Sequence, residues 1–393
     1  MKYLLVLLLF LSRTCLAQTI SSINGNISDG QVITLNGSGF GNKPGPAPQL
    51  YSEFNETQAQ AEHPIESLAG IHGWHSWGAA TEDPAMYSNE ALRDGTGFNA
   101  RFIYPDRIIE QREDPSGAGL EDALIHEGLD INASDRVYLS IWIRSDFDGP
   151  KTSGEDPQQW KILRYSRGQN GYPALIHLWH GAPAAHTPPG SSKIFNYRGD
   201  GAQAEATLTP WDAPPPLNTW WHMEIEARVS SAPGVADGSV RAWYNGEERL
   251  FRNNWAWLAE AWTDAQGVSH PADDPQNVWN WLMIGQYIQR PPRRYTVRFD
   301  DVYHDKSWAR VLLCDQPAFA ACRHREPQPA IAWESSGITL TLNRGSFQPG
   351  ATAYLMVIDS SGNSGPGYPV TIAADYPDDP IAPAAPQGLR SSN

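Results

Sequence analysis

Apolar Val137, Leu139, Ile141 and Ile143 alternate with Tyr138, Ser140 and Trp142. Further on, Trp221, Met223, Ile225, Ala227 and Val229 alternate in the same way with His222, Glu224, Glu226 and Arg228. A repeat of two is that of a β-strand with one face buried and the other wet. The run from Val240 to Tyr244 leads into Asn245-Gly246, and Glu247 to Phe251 returns. That is a hairpin signal, because both turn residues tolerate positive φ. Long helical periodicity is absent, and only Pro84 to Leu92 has room for one short helix. The pattern predicts an all-β chain of many short strands.

Composition narrows this. With 34 Gly, 32 Pro and 16 Trp in 393 residues, turns are frequent and helical bundles are excluded. Hydrophobic residues at 40% and aromatics at 11% are too many for a disordered chain. Lys and Arg number 29 against 44 Asp and Glu, a formal charge of −15. Phosphate backbones are held by cationic contacts, so nucleic acid is not an expected partner.

The first 17 residues read as a signal peptide: Met1-Lys2, an apolar run from Tyr3 to Leu11, and a small-residue cleavage site at Cys15-Leu16-Ala17. The expected destination is extracellular or periplasmic. No segment reaches the ~20 apolar residues of a spanning helix, so no membrane span is expected. Cys314 and Cys322 then remain, most simply as one disulfide closing a small loop. A metal pair is the alternative, but no clustered Cys or His completes four ligands.

The two ends of the chain carry matching fragments. Ile20 to Ile23, Val32 to Leu35 and Asn36-Gly-Ser-Gly-Phe40-Gly41 resemble the opening of an immunoglobulin-like IPT/TIG domain. The remaining strands that this resemblance implies follow at Trp333 to Leu342, Ala353 to Ile358 and Tyr368 to Ile372. Residues 18–45 and 326–375 are therefore expected to form one small β-sandwich, with 46–325 inserted at a surface turn. The alternative is two unrelated β fragments. Residues 376–393 are Pro/Ala-rich and read as a linker or tail.

The insert resembles the concanavalin-A-like lectin/glucanase fold, a two-sheet jelly roll. The resemblance rests on Trp160-Lys-Ile-Leu-Arg164, Trp220-Trp-His-Met-Glu224, Asp237 to Gly246, Ile284-Gly-Gln-Tyr-Ile-Gln289 and Phe299-Asp-Asp-Val-Tyr303. Within that fold the chain is similar to jelly-roll alginate lyases. Arg164 lies on a first strand, His177 within Ala174-Leu-Ile-His-Leu-Trp179 on a second, and Gly285, Tyr287 and Gln289 on a third. Leu175 and Met283 stand where that family has Gln and Lys.

The resemblance implies cleavage of a uronate polysaccharide by β-elimination. Arg164 and Gln289 would neutralise the sugar carboxylate, His177 or ionised Tyr287 would take the C5 proton, and Tyr287 would protonate the leaving oxygen. No cofactor is required. Trp179, Lys161, Trp243 and Arg290 are the expected substrate contacts. Trp255 and Trp257 add flat rings able to stack on sugars, and Arg293, Arg294 and Arg298 extend a basic patch that attracts acidic chains. For each residue the competing reading is a structural one: half-buried sheet positions, core tryptophans, a charged edge strand.

Glu224 and Glu226 are the nearest pair for glycoside hydrolysis, yet no third acid joins them and their face reads as outer. Asp300, Asp301 and Asp305 offer hard oxygen ligands for a structural Ca²⁺, or else cap a hairpin. Three functions stay open: a secreted lyase of acidic polysaccharides, a non-catalytic glycan-binding or adhesion protein, and a structural component of a larger surface assembly that contacts protein through its β edges.

Overall fold

The strands that alternate most regularly become the middle of a sheet. Arg136–Ser145 pairs on one side with Trp221–Arg228 and on the other with Tyr295–Asp305. In this computed structural model the described residues are 18–55, 59–65, 74–77, 85–104, 120–121, 123–126, 135–146, 159–166, 174–180, 191–197, 203–207, 217–263, 267–275, 279, 281–288 and 295–374. The expected signal peptide and the tail from 376 lie outside them, and among them no helix is long and apolar enough to cross a membrane.

The protein is all-β, its paired strands antiparallel. Sheet I runs Glu247–Trp255, Gly238–Tyr244, Trp221–Arg228, Arg136–Ser145, Tyr295–Asp305, Asn99–Tyr104, Met86–Ser88, with Leu50–Ser52 added beside Tyr295–Asp305. The Asn245-Gly246 turn forms as expected, with φ of 46° and 69°. Around Met86 the chain is a strand, not the short helix that its sequence allowed, because it pairs with Asn99–Tyr104. Sheet II runs Gln203–Thr207, Ser191–Tyr197, Ala174–His180, Gln159–Ser166, Trp281–Ile288, Ala123–His126, Trp74–Trp77.

Sheets I and II form the two layers of a jelly roll and share one apolar core. Val137, Leu139, Ile141, Ile143, Met223 and Ile225 of sheet I meet Leu163, Tyr165, Leu175, Ile194, Leu282 and Ile284 of sheet II, all at most 1% exposed. Each large apolar side chain so buried contributes roughly 1.5–3 kcal/mol.

The chain ends build a smaller sandwich. Sheet III runs Thr19–Asn24, Val32–Ser38, Gly337–Thr341, Ala330–Glu334, so an N-terminal strand pairs directly with a C-terminal one. Sheet IV runs Arg325–Gln328, Arg310–Cys314, Thr352–Ile358, Tyr368–Thr371. Ile33, Leu35, Ile338 and Leu340 pack there against Val311, Leu313, Leu355 and Val357.

Arg310–Cys314 therefore belongs to the small sandwich, and a boundary at residue 325 cuts through sheet IV. Its Val311 and Leu313 face the small core, while Leu312 and Cys314 join a separate cluster on the opposite face. A strand apolar on both faces shows no alternation by which to assign it.

The expected disulfide is absent. Cys314 and Cys322 are buried free thiols in hydrogen-bond contact with each other, and the Cys322 Sγ donates to the His324 carbonyl at 3.0 Å. Around them stand Leu312, Met356 and Ile358, and burial pushes the Cys314 thiol well above its ordinary range. That apolar pocket favours the neutral thiol.

Candidate functional site

Register decides which of the expected residues meet on sheet II. Paired residues on neighbouring strands share a face. Tyr165, Leu282 and Leu175 form one line across three strands, and all three are fully buried in the shared core. Leu163, Ile284, His177 and Ile194 form the next line, of which Leu163, Ile284 and Ile194 lie in the core. Arg164 is instead in line with Met283 and Ile176, and Lys161 with Tyr287 and Leu178.

Lys161 and Arg164 thus occupy the outer face of sheet II, with Tyr287 in register with Lys161 and His177 in register with Leu163. Strict alternation would part Lys161 from Arg164, three residues away. A register shift between Lys161 and Leu163 reunites them. Ile162 and Leu163 are both fully buried in the core, whereas Lys161 and Arg164 are half-buried. An extra residue in the strand therefore turns Lys161 outward again. On the partner strand the shift is taken up beside Gly285, whose φ is +70° and whose missing Cβ would lie 2.9 Å from the Phe102 ring. Gln289 and Arg290 lie outside the described residues, as do the side chains of His177, Tyr287 and Trp179.

The outer face of sheet I carries the wet half of the alternating pattern, yet it is dry, because sheet IV lies over it. Glu224, expected on an open face, is fully buried: Arg325 Nη1 donates to its Oε2 and the Tyr138 hydroxyl to its Oε1, both at 2.8 Å. Glu226 takes Arg310 Nη1 at 2.8 Å, and the Arg310 guanidinium lies 3.9 Å from the centre of the Tyr138 ring. Both glutamates are ion-pair partners of the small sandwich, so they cannot serve as a hydrolase pair. Against the pull of burial, Arg325 and its neighbours hold Glu224 down to about 2.

His222 lies on the same face. Ser140 Oγ is 2.6 Å from its Nε2, Trp142 stacks on its ring at 4.7 Å, and burial lowers it to about 4. Trp243 is 2% exposed beneath Phe319 and is not available as a sugar platform. Trp255 and Trp257 belong to the core. Arg298 is no part of a solvated edge: it is buried and paired with Glu90 at 2.8 Å. Asp305 is buried too, paired with Lys43 at 2.6 Å.

A second polar site lies where the two sandwiches meet. Asp29, Glu53, Asn55, Asp94, Thr96, Asp300, Asp301 and Asn343 line a cleft with about 40 Å³ of free volume, room for an ion and a little water. Arg93 crosses it, paired with Asp301 and, at 2.5 Å, with Glu326. Asp300 is 6% exposed, and its Oδ1 accepts only the neighbouring Asp301 amide at 3.0 Å. Its second oxygen has no hydrogen-bond partner among the described residues.

Burial raises Glu53 to about 7 and lifts Asp300 well above the carboxylate range. Carboxylate, amide and hydroxyl oxygens fit a hard divalent cation such as the expected Ca²⁺. The acids stand around the cleft without three of them converging on one point. Asp300 and Asp301 are the acids that the sequence offers for a cation, and Asp29, Glu53 and Asp94 reach the same cleft from distant segments with no shared motif.

No protein-family model matches this sequence, and no curated protein matches it either. Among solved structures the chain is similar to a mutant of alginate lyase Aly36B in complex with an alginate trisaccharide. Identity there is 11% and the TM-score 0.41, over 66% of this chain and 98% of that one. A PL-14 alginate lyase from Aplysia kurodai gives 10% identity and a TM-score of 0.41, over 67% of this chain and 99% of that one. The cellulose-induced protein Cip1 gives 12% and 0.35, over 60% of this chain and 92% of that one.

Proposed function

We propose that this protein is exported by its first 17 residues and engages an acidic, uronate-containing polysaccharide along the outer face of sheet II, cleaving it by β-elimination. The observation that carries the reading is the placement of Lys161 and Arg164 on that face with Tyr287 in register with Lys161 on the neighbouring strand. In an otherwise acidic chain, Lys161 and Arg164 attract the sugar carboxylate and offset its charge, which acidifies the adjacent C5 proton.

Ionised Tyr287 takes that proton. The electron pair forms the C4–C5 double bond, the C4–O4 bond breaks, and the departing oxygen recovers a proton from the tyrosine hydroxyl. One residue handles both proton transfers when both groups leave the same side of the ring. His177 is the alternative base for that proton. Gln289 is two residues beyond Tyr287 and is a further candidate for the carboxylate.

A second reading, glycan binding without catalysis, is favoured by Met283, which stands beside Arg164 where the lyase pattern has Lys. Purified protein incubated with polymannuronate, polyguluronate and polygalacturonate distinguishes the two by near-ultraviolet absorbance of the unsaturated product. For a lyase, Tyr287→Phe lowers the rate at least 100-fold while affinity persists, and Arg164→Ala weakens both. Affinity without product on any polymer leaves binding alone. Neither affinity nor product sinks both readings.

A further inference from the structure

We propose that the loop from Asp359 to Gly365 is the seat of the amino-terminal residue of the mature chain, Gln18, and that it keeps the Gln18 side chain from closing on its own α-amine. Export supplies the premise: with the leader ending at Ala17, Gln18 is the first residue of the mature protein, so the seat rests on that reading.

Glutamine at an amino terminus has a reaction open to it that glutamine elsewhere lacks. Its free α-amine attacks the side-chain carbonyl carbon, Cδ. The N–Cδ bond forms, the Cδ–Nε2 bond breaks, and Nε2 leaves as ammonia with a hydrogen from the amine. No other reactant enters. The product is a pyroglutamyl lactam, which has lost both the α-ammonium charge and the Nε2 donor.

In the folded protein that donor is committed. Gln18 is 3% exposed, and its Nε2 donates to Asp359 Oδ2 at 2.8 Å across 341 positions of sequence. Ring closure needs the side chain to fold back onto its own backbone, so the bond to Asp359 must break first. Bonds of an amide to a carboxylate are stronger than neutral ones, and a buried oxygen that loses its donor is costly.

The seat is held from several sides. Asp359 Oδ1 accepts the Ser361 amide at 2.8 Å and the Asn363 amide at 2.9 Å, which turns Oδ2 to Gln18 and to Asn363 Nδ2 at 3.1 Å. The Asp359 amide donates to the Asn363 carbonyl, and the Gly362 amide to the Asp359 carbonyl. From the jelly roll, Arg136 donates to the Ser360 carbonyl. Gly365 leaves room for the occupant, since a Cβ there would lie 2.1 Å from the Gln18 carbonyl oxygen.

Topology gives the bond its consequence. Thr19–Asn24, directly after Gln18, is an edge strand of sheet III, and Asp359 directly follows Thr352–Ile358 of sheet IV. Gln18 and Asp359 therefore tie the two sheets of the small sandwich together at a chain end, where strands otherwise fray. A cyclised terminus cannot make that tie.

The full chain, secreted with its own leader from a bacterial host, is read at its amino terminus by tandem mass spectrometry and then incubated with glutaminyl cyclase. The native product should begin at Gln18 with intact glutamine. It should lose ammonia at least about tenfold more slowly than Asp359→Ala, the factor that one hydrogen bond to a charged group supplies. Gly365→Ala, which crowds Gln18 while keeping donor and acceptor, should also cyclise faster, and it serves alone if Asp359→Ala does not fold. In both variants hydrogen exchange of Thr19–Asn24 should quicken. Native protein that begins at Gln18 but is already cyclised, or cyclises as fast as the variants, overturns the seat and leaves export standing. A chain that keeps its leader, or is cut elsewhere, overturns the export boundary and the seat with it.

Discussion

At the scale of single residues, Glu224 shows how much a buried charge depends on its partners. Its carboxylate is fully buried, and its charge is held by Arg325, by Tyr138 and by the nearby Arg310. Removing one member of such a pair leaves the other buried and uncompensated, at a cost of about 3–5 kcal/mol, whereas replacing both with apolar groups is often neutral. Arg325→Met should therefore destabilise the protein strongly in urea unfolding. The double variant Arg325→Met with Glu224→Leu should recover much of the loss. A double variant as unstable as the two single losses added together would show that the pair does not act as one unit.

The sequence announces part of this. Alternation at 221–229 correctly puts Glu224 and Glu226 on the face away from Met223 and Ile225, but periodicity cannot say what covers a face. That depends on sheet IV, whose Arg310 and Arg325 lie some 80 to 100 residues further on. Trp243 is covered in the same way. An indole on an outward face reads as a ligand platform until Phe319 closes over it.

At the scale of elements, the regular strands were legible and the irregular one mattered most. The alternation at 137–143 and the Asn245-Gly246 turn state their geometry outright. The strand Gln159–Ser166 does not, since a bulge is one extra residue that breaks the period by which it would be read. Counting by twos puts Lys161 and Arg164 on opposite faces. The bulge at Ile162 puts them on the same one and, with the long register step at Gly285, aligns Lys161 with Tyr287.

Gly285 makes a direct test. Its φ is +70°, and an added Cβ would press on the Phe102 ring from 2.9 Å. Gly285→Ala should cost about 1–3 kcal/mol of stability. Because the strain falls two residues before Tyr287, it should also reduce polyuronate affinity more than an equally destabilising substitution in the small sandwich, such as Leu340→Ala. Equal affinities in the two variants at matched temperature would separate the bulge from the site.

At the scale of the whole molecule, the two sandwiches meet through charge, and this gives stability a direction with pH. His222 lies in the joint. Ser140 and Trp142 face it from the neighbouring strand and Glu224 from its own, while Arg93, Arg325 and Glu326 exert their charges on it from the loop and the small sandwich. Burial lowers it to about 4, below the usual ~6.5 that it regains on unfolding.

Between those values the unfolded chain binds the proton and the folded chain does not, so stability is lost as pH falls from about 6.5 to about 4, by up to ~1.4 kcal/mol per pH unit. Glu224 and Glu326, held near 2 despite burial by Arg325 and by Arg93 respectively, act lower down. Their stabilisation is full above the ordinary carboxylate value and is lost as pH falls from about 4.5 towards 2.

The two windows can be told apart by substitution. Thermal unfolding of the native sequence should show Tm falling steeply below about pH 4.5 and less above it, where proton uptake by the raised Glu53 and Asp300 carboxyls of the folded state opposes the loss at His222. His222→Gln keeps a side chain able to hydrogen-bond Ser140 but cannot take up the proton. It should remove the loss due to His222 from the upper segment, raising Tm between pH 6.5 and 4.5 relative to that at pH 7.5 when compared with the native sequence, and leave the lower segment in place. If the upper slope survives in His222→Gln unchanged, the proton is bound elsewhere, and the joint between the sandwiches is not what titrates.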